Sequence, residues 1–450
     1  MKTIPRVQAP MLLQALEWVL NPVGYMQKNF SRHGDIFQAA ISGRSKPYYL
    51  LSKPKDIQYI LTRDTGKELS SPGELNQLFE SLIGRQNLIL LSGKQHQKRR
   101  QLVMPPFHRE HLASYNQVIQ RITEEIIAEW QVDDSLDVRI AMQKITLGTI
   151  LQVVFGLHQG ERYQKIEQLL SLRLNMTSTP LTSLVLFFPW LRKDVGNWSP
   201  GGRIRQITEE TDNLLFAEIE ERRANPNPER TDVLSLLIVA TDEDGNHLSN
   251  QDLRDELLTL LVAGHETTAT ALTWAIYWIH SLPEVRQKLI SEMEDLPNSD
   301  DPGQMLSRPY LTAVCNETLR IHPVAMLTFP RQVETSINIS GYQFSPGDIV
   351  MGCIYLLHQR EDLYPQPQVF RPERFLERQF SPYEFMPFGG GVRRCIGTAL
   401  AQCEMKIVLG TILSKTALSL TSDRPVQPAR RGPTLGQKTP VRINVEHVNI

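Results

Sequence analysis

Residues 385–397 read "FMPFGGGVRRCIG": three consecutive glycines, two arginines and a single cysteine, set immediately before a long apolar stretch with helical spacing. Glycine-rich loops ahead of helices commonly bind phosphate at the helix N-terminus. This one lacks the Gly-Lys-Ser/Thr ending of a P-loop and the third glycine of a dinucleotide fingerprint, so neither reading holds. A structural zinc site would need other Cys or His ligands close by. Cys403 lies two helical turns away and no Cys-x-x-Cys is near. The cysteine therefore acts alone.

A lone cysteine is most often a small buried apolar residue. The surroundings of Cys395 argue for more. Glycines 389 to 391 let the backbone lie close to a flat ligand. A cysteine at the start of the helix "CIGTALAQCEMKIVLGTIL" meets exposed N–H groups and the helix dipole, which favour the thiolate, the form that binds iron. Arg393 and Arg394 add positive charge suited to carboxylates on the same ligand.

Composition narrows the setting. With 48 basic and 49 acidic residues in 450, the net charge of −1 does not suggest non-specific nucleic-acid binding, and any basic patch must be local. Four cysteines without paired spacing, Cys315, Cys353, Cys395 and Cys403, suit a reducing compartment, and a cytoplasmic protein is the plain reading. The N-terminal "MKTIPRVQAPMLLQALEWVLNPVGYM" is broken by Pro10, Gln14 and Glu17, so no transmembrane segment is expected. An amphipathic segment resting peripherally on a membrane is the alternative to a packed helix there.

Working outward, apolar residues at three- and four-residue spacing make most of Glu74 to Met293 helical, as in "HLASYNQVIQRITEEIIAEW" (111–130) and "DNLLFAEIEERR" (212–223). Strands are the minority. A hairpin is expected over 35–52 and another over 336–358, with turns at Ser340-Gly341 and Pro346-Gly347. The longest helix is expected from about Asn250 to Ser281, capped at Ser249 and stopped by Pro283. Its apolar pattern is interrupted by "GHETT" (264–268), which marks a face with something against it. His265-Glu266 begins a zincin-like motif, but Ala269 stands where the second histidine is required. On "LTAVCNETLR" (311–320), Glu317 and Arg320 lie one turn apart between apolar flanks, as in a buried bridge.

These motifs together resemble one family. Phe388, Gly391, Arg393, Cys395 and Gly397 match the haem-binding signature of the cytochrome P-450 family; Ala263 to Thr268 match its oxygen-activation motif, Glu317 and Arg320 its Glu-x-x-Arg, and Arg371 to Phe375 its following Pro-Glu-Arg-Phe element. The resemblance implies a mainly α fold with a smaller β-rich region (near 35–60 and 325–360), a single domain over 1–450 with no fused reductase, and haem between the long helix and the cysteine loop. It further implies a monooxygenase using O2. Haem b would be held non-covalently, since no Cys-x-x-Cys-His is present, with Cys395 as the ligand of the iron. Phe388, Gly389 and Gly397 would bed the porphyrin, and Arg393, His96, Arg100 and Arg331 would face its propionates. His96 stands where many members have tryptophan. Ala263 and Gly264 would open the long helix beside the oxygen, with Thr267 and Glu266 relaying protons and Arg374 completing the Glu317 network.

Electrons are expected from a separate ferredoxin or flavodoxin with its reductase, drawn by a basic patch of Lys94, Lys98, Arg99, Arg394 and Lys406. "AGHETT" and "LVMPPFH" (102–108) are similar to soluble bacterial members related to fatty-acid hydroxylases, which implies a small lipophilic substrate, a long-chain fatty acid first. Leu82, Val324, Leu327 and Leu435 would line the channel, and Arg44, Lys46 and Tyr49 would hold a carboxylate at its mouth. Rival expectations are a terpene, alkane or other lipid monooxygenase, a peroxide isomerase, which would need no proton relay, and a thiolate-haem gas or redox sensor.

Overall fold

The computed structural model describes residues 3–41, 47–175, 179–188, 193–194, 196, 199–294 and 301–449. Helix and strand alternate at first: α1 (Met11–Leu20), α2 (Pro22–His33), β1 (Ile36–Ala39), β2 (Tyr48–Leu51), α3 (Pro54–Thr62) and β3 (Leu69–Ser70). A helical body follows: α4 (Glu80–Ile83), α5 (Gly93–Val103), α6 (Arg109–Ile127), the short β4 (Ser135–Asp137), α7 (Val138–Phe155), α8 (Glu161–Asn175), α9 (Leu184–Phe187), α10 (Pro200–Ala224), α11 (Val233–Val239), α12 (Asn250–Ser281), α13 (Pro283–Glu294), α14 (Gly303–Leu306) and α15 (Pro309–Ile321). The remainder is mixed: β5 (Arg331–Val333), β6 (Ile337–Ile339), β7 (Tyr342–Phe344), β8 (Ile349–Gly352), α16 (Ile354–His358), α17 (Arg374–Glu377), α18 (Thr398–Lys415), β9 (Thr416–Leu420), β10 (Pro428–Arg431), β11 (Thr434–Gln437) and β12 (Arg442–Val448). The fold is mainly α with small sheets.

Helix α12 organises the body and has the bounds its sequence implies. The Ser249 Oγ accepts the Asp252 N–H at 3.1 Å while the Asp252 carboxylate accepts the Ser249 N–H at 3.1 Å, a reciprocal cap that satisfies two donors the helix end would otherwise waste. Helix α7 packs along it, and α18 crosses both α6 and α12, so that their apolar faces form the main core. Among the described residues, α7 is long and apolar enough to cross a membrane, but it is spent as a core helix, with 78% of that stretch buried. Glycine 264 allows the close approach: a Cβ there would sit 2.7 Å from Ile150 Cδ1 of α7.

The largest sheet runs β1-β2-β8-β5-β3, antiparallel except for the β2–β8 pair. Side chains alternate across it. Tyr48 and Leu50 enter one cluster with Trp18, Val19 and Met26 of α1 and α2, while Tyr49 and Leu51 turn to the other face, against α3 and the β6–β7 hairpin. The hairpin expected over 35–52 is β1–β2, with residues 42–46 of its turn, and so Arg44 and Lys46, outside the described residues.

The hairpin expected over 336–358 is only half present. β6 and β7 pair around Ser340-Gly341, but β8 leaves them after Pro346-Gly347 to join β2 and β5, and the apolar run beyond it coils into α16. All four β8 residues are buried, and a continuous apolar run carries no period that separates strand from helix.

Candidate functional site

The cysteine loop takes its shape from glycines and a few fixed hydrogen bonds. Gly389 and Gly391 both have φ of +66°, a conformation L side chains rarely adopt. A Cβ on Gly391 would also lie 2.8 Å from the Leu61 carbonyl, so the loop rests on the end of α3. The Cys395 N–H donates to the Phe388 carbonyl at 3.1 Å, the Thr398 hydroxyl donates to the Cys395 carbonyl at 2.8 Å, and the Met386 N–H donates to His358 Nε2 at 3.0 Å. Phe388 packs against the main core, and a Cβ on Gly397 would lie 3.9 Å from the Cys395 Sγ.

Helix α18 begins at Thr398, three residues later than the expected start at the cysteine. The thiol nonetheless feels the helix end. Burial is the largest influence on Cys395 and raises its pKa, while the Gly397 N–H, the Thr398 hydroxyl and the charges of Arg100 and Arg394 pull it down. The residue nonetheless keeps part of its surface exposed. The other buried thiols differ in kind: Cys315 and Cys353 are sealed in the core and pushed up to about 12 by burial.

Positive charge gathers beside this loop. His96 is buried, and its pKa is driven down to about 3 by burial and then by Arg393, Arg100 and Arg331. Arg331 pairs with Asp64 at 2.5 Å and donates to the Phe329 carbonyl at 2.8 Å; Arg100 Nη1 donates to the Arg394 carbonyl at 2.8 Å. Arg393 commits its terminal nitrogens to the carbonyls of Leu88, Leu91 and Ser71, at 2.8, 2.6 and 2.6 Å. Its bonds thus hold the segment before α5, and what it adds at the cleft is charge rather than spare donors. Three arginines against the carboxylates of Asp64 and Glu74, around a neutral imidazole, leave a positive excess, which suits a ligand bearing carboxylates. A solvent-reachable thiol, a close-lying glycine loop and this excess fit an iron porphyrin.

On α12, Ala263 is exposed within a stretch that is otherwise largely buried, and the Thr267 hydroxyl donates to the Ala263 carbonyl at 2.5 Å. Glu266 does not share that face. It pairs with Arg139 and accepts from Gln143 Nε2 at 3.0 Å, both on α7, while His265 meets the Thr146 hydroxyl at 2.8 Å. Gly264 corrects an expectation: its missing side chain makes room for Ile150, and the open surface at that level belongs to Ala263.

Behind the loop, Glu317 is a hub. It accepts from Arg320 Nε at 2.7 Å and Nη2 at 2.9 Å, from Arg374 Nε at 3.0 Å and from the Arg371 N–H at 2.8 Å, with Glu317 and Arg320 fully buried. Arg320 then donates to the His358 carbonyl at 2.8 Å, and His358 receives Met386 of the cysteine loop. The sequence pointed to Glu317, Arg320 and Arg374 but not to His358, whose only local sign is a histidine ending an apolar run.

The expected substrate residues divide. Val324, Leu327 and Leu435 come together: the Leu435 N–H donates to the Val324 carbonyl at 3.0 Å, and Leu327 and Leu435 share one cluster. Leu82 lies half-buried on α4, which packs on α12, and its carbonyl accepts from Arg173 at 2.6 Å. Tyr49 is a correction. It stacks edge-on against Phe344 with ring centres 5.2 Å apart, on the sheet face turned away from Leu327 and Leu435, and Asp348 beside it would repel a carboxylate.

The basic patch is likewise thinner than expected. Lys98 pairs with Asp244 at 2.7 Å, Arg99 with Asp252 and Glu256 at 2.6 and 3.0 Å, and Lys406 donates to the Leu306 carbonyl at 3.0 Å, leaving Lys94 and Arg394 as the exposed members without an ion pair among the described residues. Shallow surface clefts of about 290 and 220 Å³, between α8 and α10 and between α6 and α7, contain none of the expected site residues. Among the described residues no three His, Cys, Asp or Glu side chains gather as a metal site.

Comparison with known proteins bears on the family and the fold. The family model for cytochrome P-450 matches residues 5–445. The chain is 36% identical over 398 residues to a Mycobacterium tuberculosis protein named cytochrome P-450 135B1, covering 88% of this chain and 81% of the relative. A second from the same species, cytochrome P-450 138, is 32% identical over 422 residues, 93% of this chain and 90% of the relative. Among solved structures, retinoic acid-bound cyanobacterial CYP120A1 superposes with a TM-score of 0.85 over the whole of both chains at 22% identity, a likeness of fold.

Proposed function

The chain belongs to the cytochrome P-450 family, haem-thiolate monooxygenases that use O2, and from that premise we propose that it inserts one oxygen atom into a lipophilic substrate, a long-chain fatty acid in the first instance. Haem b, when bound, supplies dioxygen activation and the oxidising power. We assign its iron ligand to Cys395, its bed to Phe388 and Gly389 to Gly397, and its propionate field to His96, Arg100, Arg331 and Arg393. The observation that carries this reading is an exposed cysteine on a glycine-shaped loop whose thiol has backbone and charged groups opposing the effect of burial.

The chain's own residues then have distinct tasks. Ala263 leaves space over the cleft. Thr267 holds a hydroxyl on that face and, by breaking its bond to the Ala263 carbonyl, would free its Oγ1 to hold or move a proton there. Glu266 is held by Arg139 and Gln143 and must leave that pair to act. Thr267→Ala is expected to divert electrons into hydrogen peroxide with the haem spectrum intact; unchanged coupling would refute the relay.

Support for a lipid comes from the apolar meeting of Val324, Leu327 and Leu435, and the fold neighbour's retinoic acid is itself a lipophilic carboxylate. The reduced, carbon-monoxide-bound spectrum tests the haem assignment: a thiolate-type Soret shift is expected, and its persistence in Cys395→Ser would overturn it. Loss of the haem water ligand on adding free fatty acids tests the substrate. Failure of every fatty acid, with terpenes or alkanes active, would replace it. Electrons are assigned to a ferredoxin or flavodoxin with its reductase, docking near Lys94 and Arg394; turnover indifferent to salt in a reconstituted system would count against that surface.

A further inference from the structure

We propose that Arg430 is the anchor for the anionic end of the substrate, so that the ligands this enzyme prefers are lipophilic carboxylates; the inference rests on the lipid-oxidising reading above. Arg430 lies on β10 and is 1% exposed. Its guanidinium carbon sits 4.8 Å from the ring centres of both Trp18 and Phe187, and Nη2 donates to the Trp18 carbonyl at 3.0 Å. Nε has no hydrogen-bond partner, and Arg430 forms no ion pair among the described residues.

Burying a charge without a counter-ion is costly. Arg320 and Arg331, equally deep, meet Glu317 and Asp64. Around Arg430 burial is the one influence on the guanidinium, lowering its pKa to about 9, so it stays protonated at neutral pH. Two aromatic faces and one carbonyl hold it in place and neutralise nothing. A carboxylate is the group that does.

The position suits a substrate. Arg430 is the cross-strand partner of Leu435, and the β10–β11 hairpin is tied at its turn by the Gly432 N–H to Ser183 Oγ, 2.9 Å, ahead of α9. Its far end is tied to α12, where Gln437 Nε2 donates to the Thr270 carbonyl at 3.1 Å, three residues beyond Thr267. The hairpin therefore runs from the oxygen side of α12 to α1 and α9, through the cluster that holds Leu327. A chain-like ligand laid along it places its head at Arg430 and its tail toward Thr267.

The test is ligand titration of the holoenzyme, followed by loss of the haem water ligand, with hexadecanoic acid against hexadecanol and methyl hexadecanoate. The acid is expected to bind roughly tenfold to a hundredfold more tightly than either neutral analogue, and Arg430→Gln to abolish that preference while leaving hexadecanol unchanged. Equal binding of acid and alcohol to the wild type, or a preference that survives Arg430→Gln, overturns the anchor alone. Binding of none of the three overturns the lipid reading and the anchor with it. Should the glutamine variant lose its haem, Arg430→Lys decides: weakening of the acid alone supports the anchor, and equal weakening of acid and alcohol overturns it.

Discussion

Arg320 and Arg430 are both sealed inside this molecule, but in opposite electrostatic company. Arg320 lies behind the cysteine loop with a carboxylate at 2.7 Å and a second arginine sharing it, whereas Arg430 lies at the hairpin with two rings and one carbonyl. The first arrangement is bonded within the chain: both arginines reach the Glu317 carboxylate, and the bonds run on through His358 to Met386, fixing the loop that presents Cys395. The second is open by one negative charge. A charge that holds the fold together is paired within the chain, and a charge kept for a visitor is not.

The largest effect expected from this contrast is that of Glu317→Ala, which strands Arg320 and Arg374 without a counter-ion. Breaking one side of a buried pair costs about 3–5 kcal/mol, so urea unfolding should show a loss of that order together with poor haem retention. Wild-type stability in that variant would remove the distinction at its paired end.

Next comes acid sensitivity, since this interior also buries histidines in the neutral form. Burial holds His265 near 4, and His322 and His358 near 3, against about 6.5 when free. Folded pKa values below the unfolded ones mean that the unfolded chain takes up protons first. Stability is therefore full above about pH 6.5 and falls toward pH 4, by up to about 1.4 kcal/mol per pH unit for each histidine. Glu404, buried on α18 and raised to about 8, works in the other direction: neutral at low pH in both states, it costs stability as pH rises from 4.5 toward 8. Urea midpoints measured from pH 5 to 9 should pass through a maximum, and a flat profile would contradict both assignments.

The smallest effect is expected at the unpaired end. Arg430→Gln gives up ring contacts but also removes an uncompensated charge, so its change in stability should stay within about 1 kcal/mol. A loss as large as that of Glu317→Ala would make Arg430 a structural residue like Arg320.

What the sequence disclosed follows the same division. Helix α12 was legible to the residue because Ser249, Asp252 and Pro283 act locally, and the cysteine loop because its glycines, arginines and cysteine are contiguous. Glu317 and Arg320 were legible because they are one turn apart. What escaped were partners far along the chain: Asp64 for Arg331, Arg139 for Glu266, His358 for Met386, Trp18 and Phe187 for Arg430. No periodicity records such pairs. The turn of β8 toward β2 was hidden for a related reason, because a strand buried on both faces has no alternation to read.

The length of α12 has an evolutionary consequence. From its cap at Ser249 to Thr267 the helix is uninterrupted, and each residue advances the chain by about 100° and 1.5 Å. Deleting one residue anywhere in that span would swing Ala263 and Thr267 a quarter-turn or more off the cleft and force Gly264 away from Ile150. Many substitutions can be absorbed along the stretch, but not a change in its number of residues. Drift in this lineage is therefore free to alter the spelling of the first half of α12 and barred from altering its count.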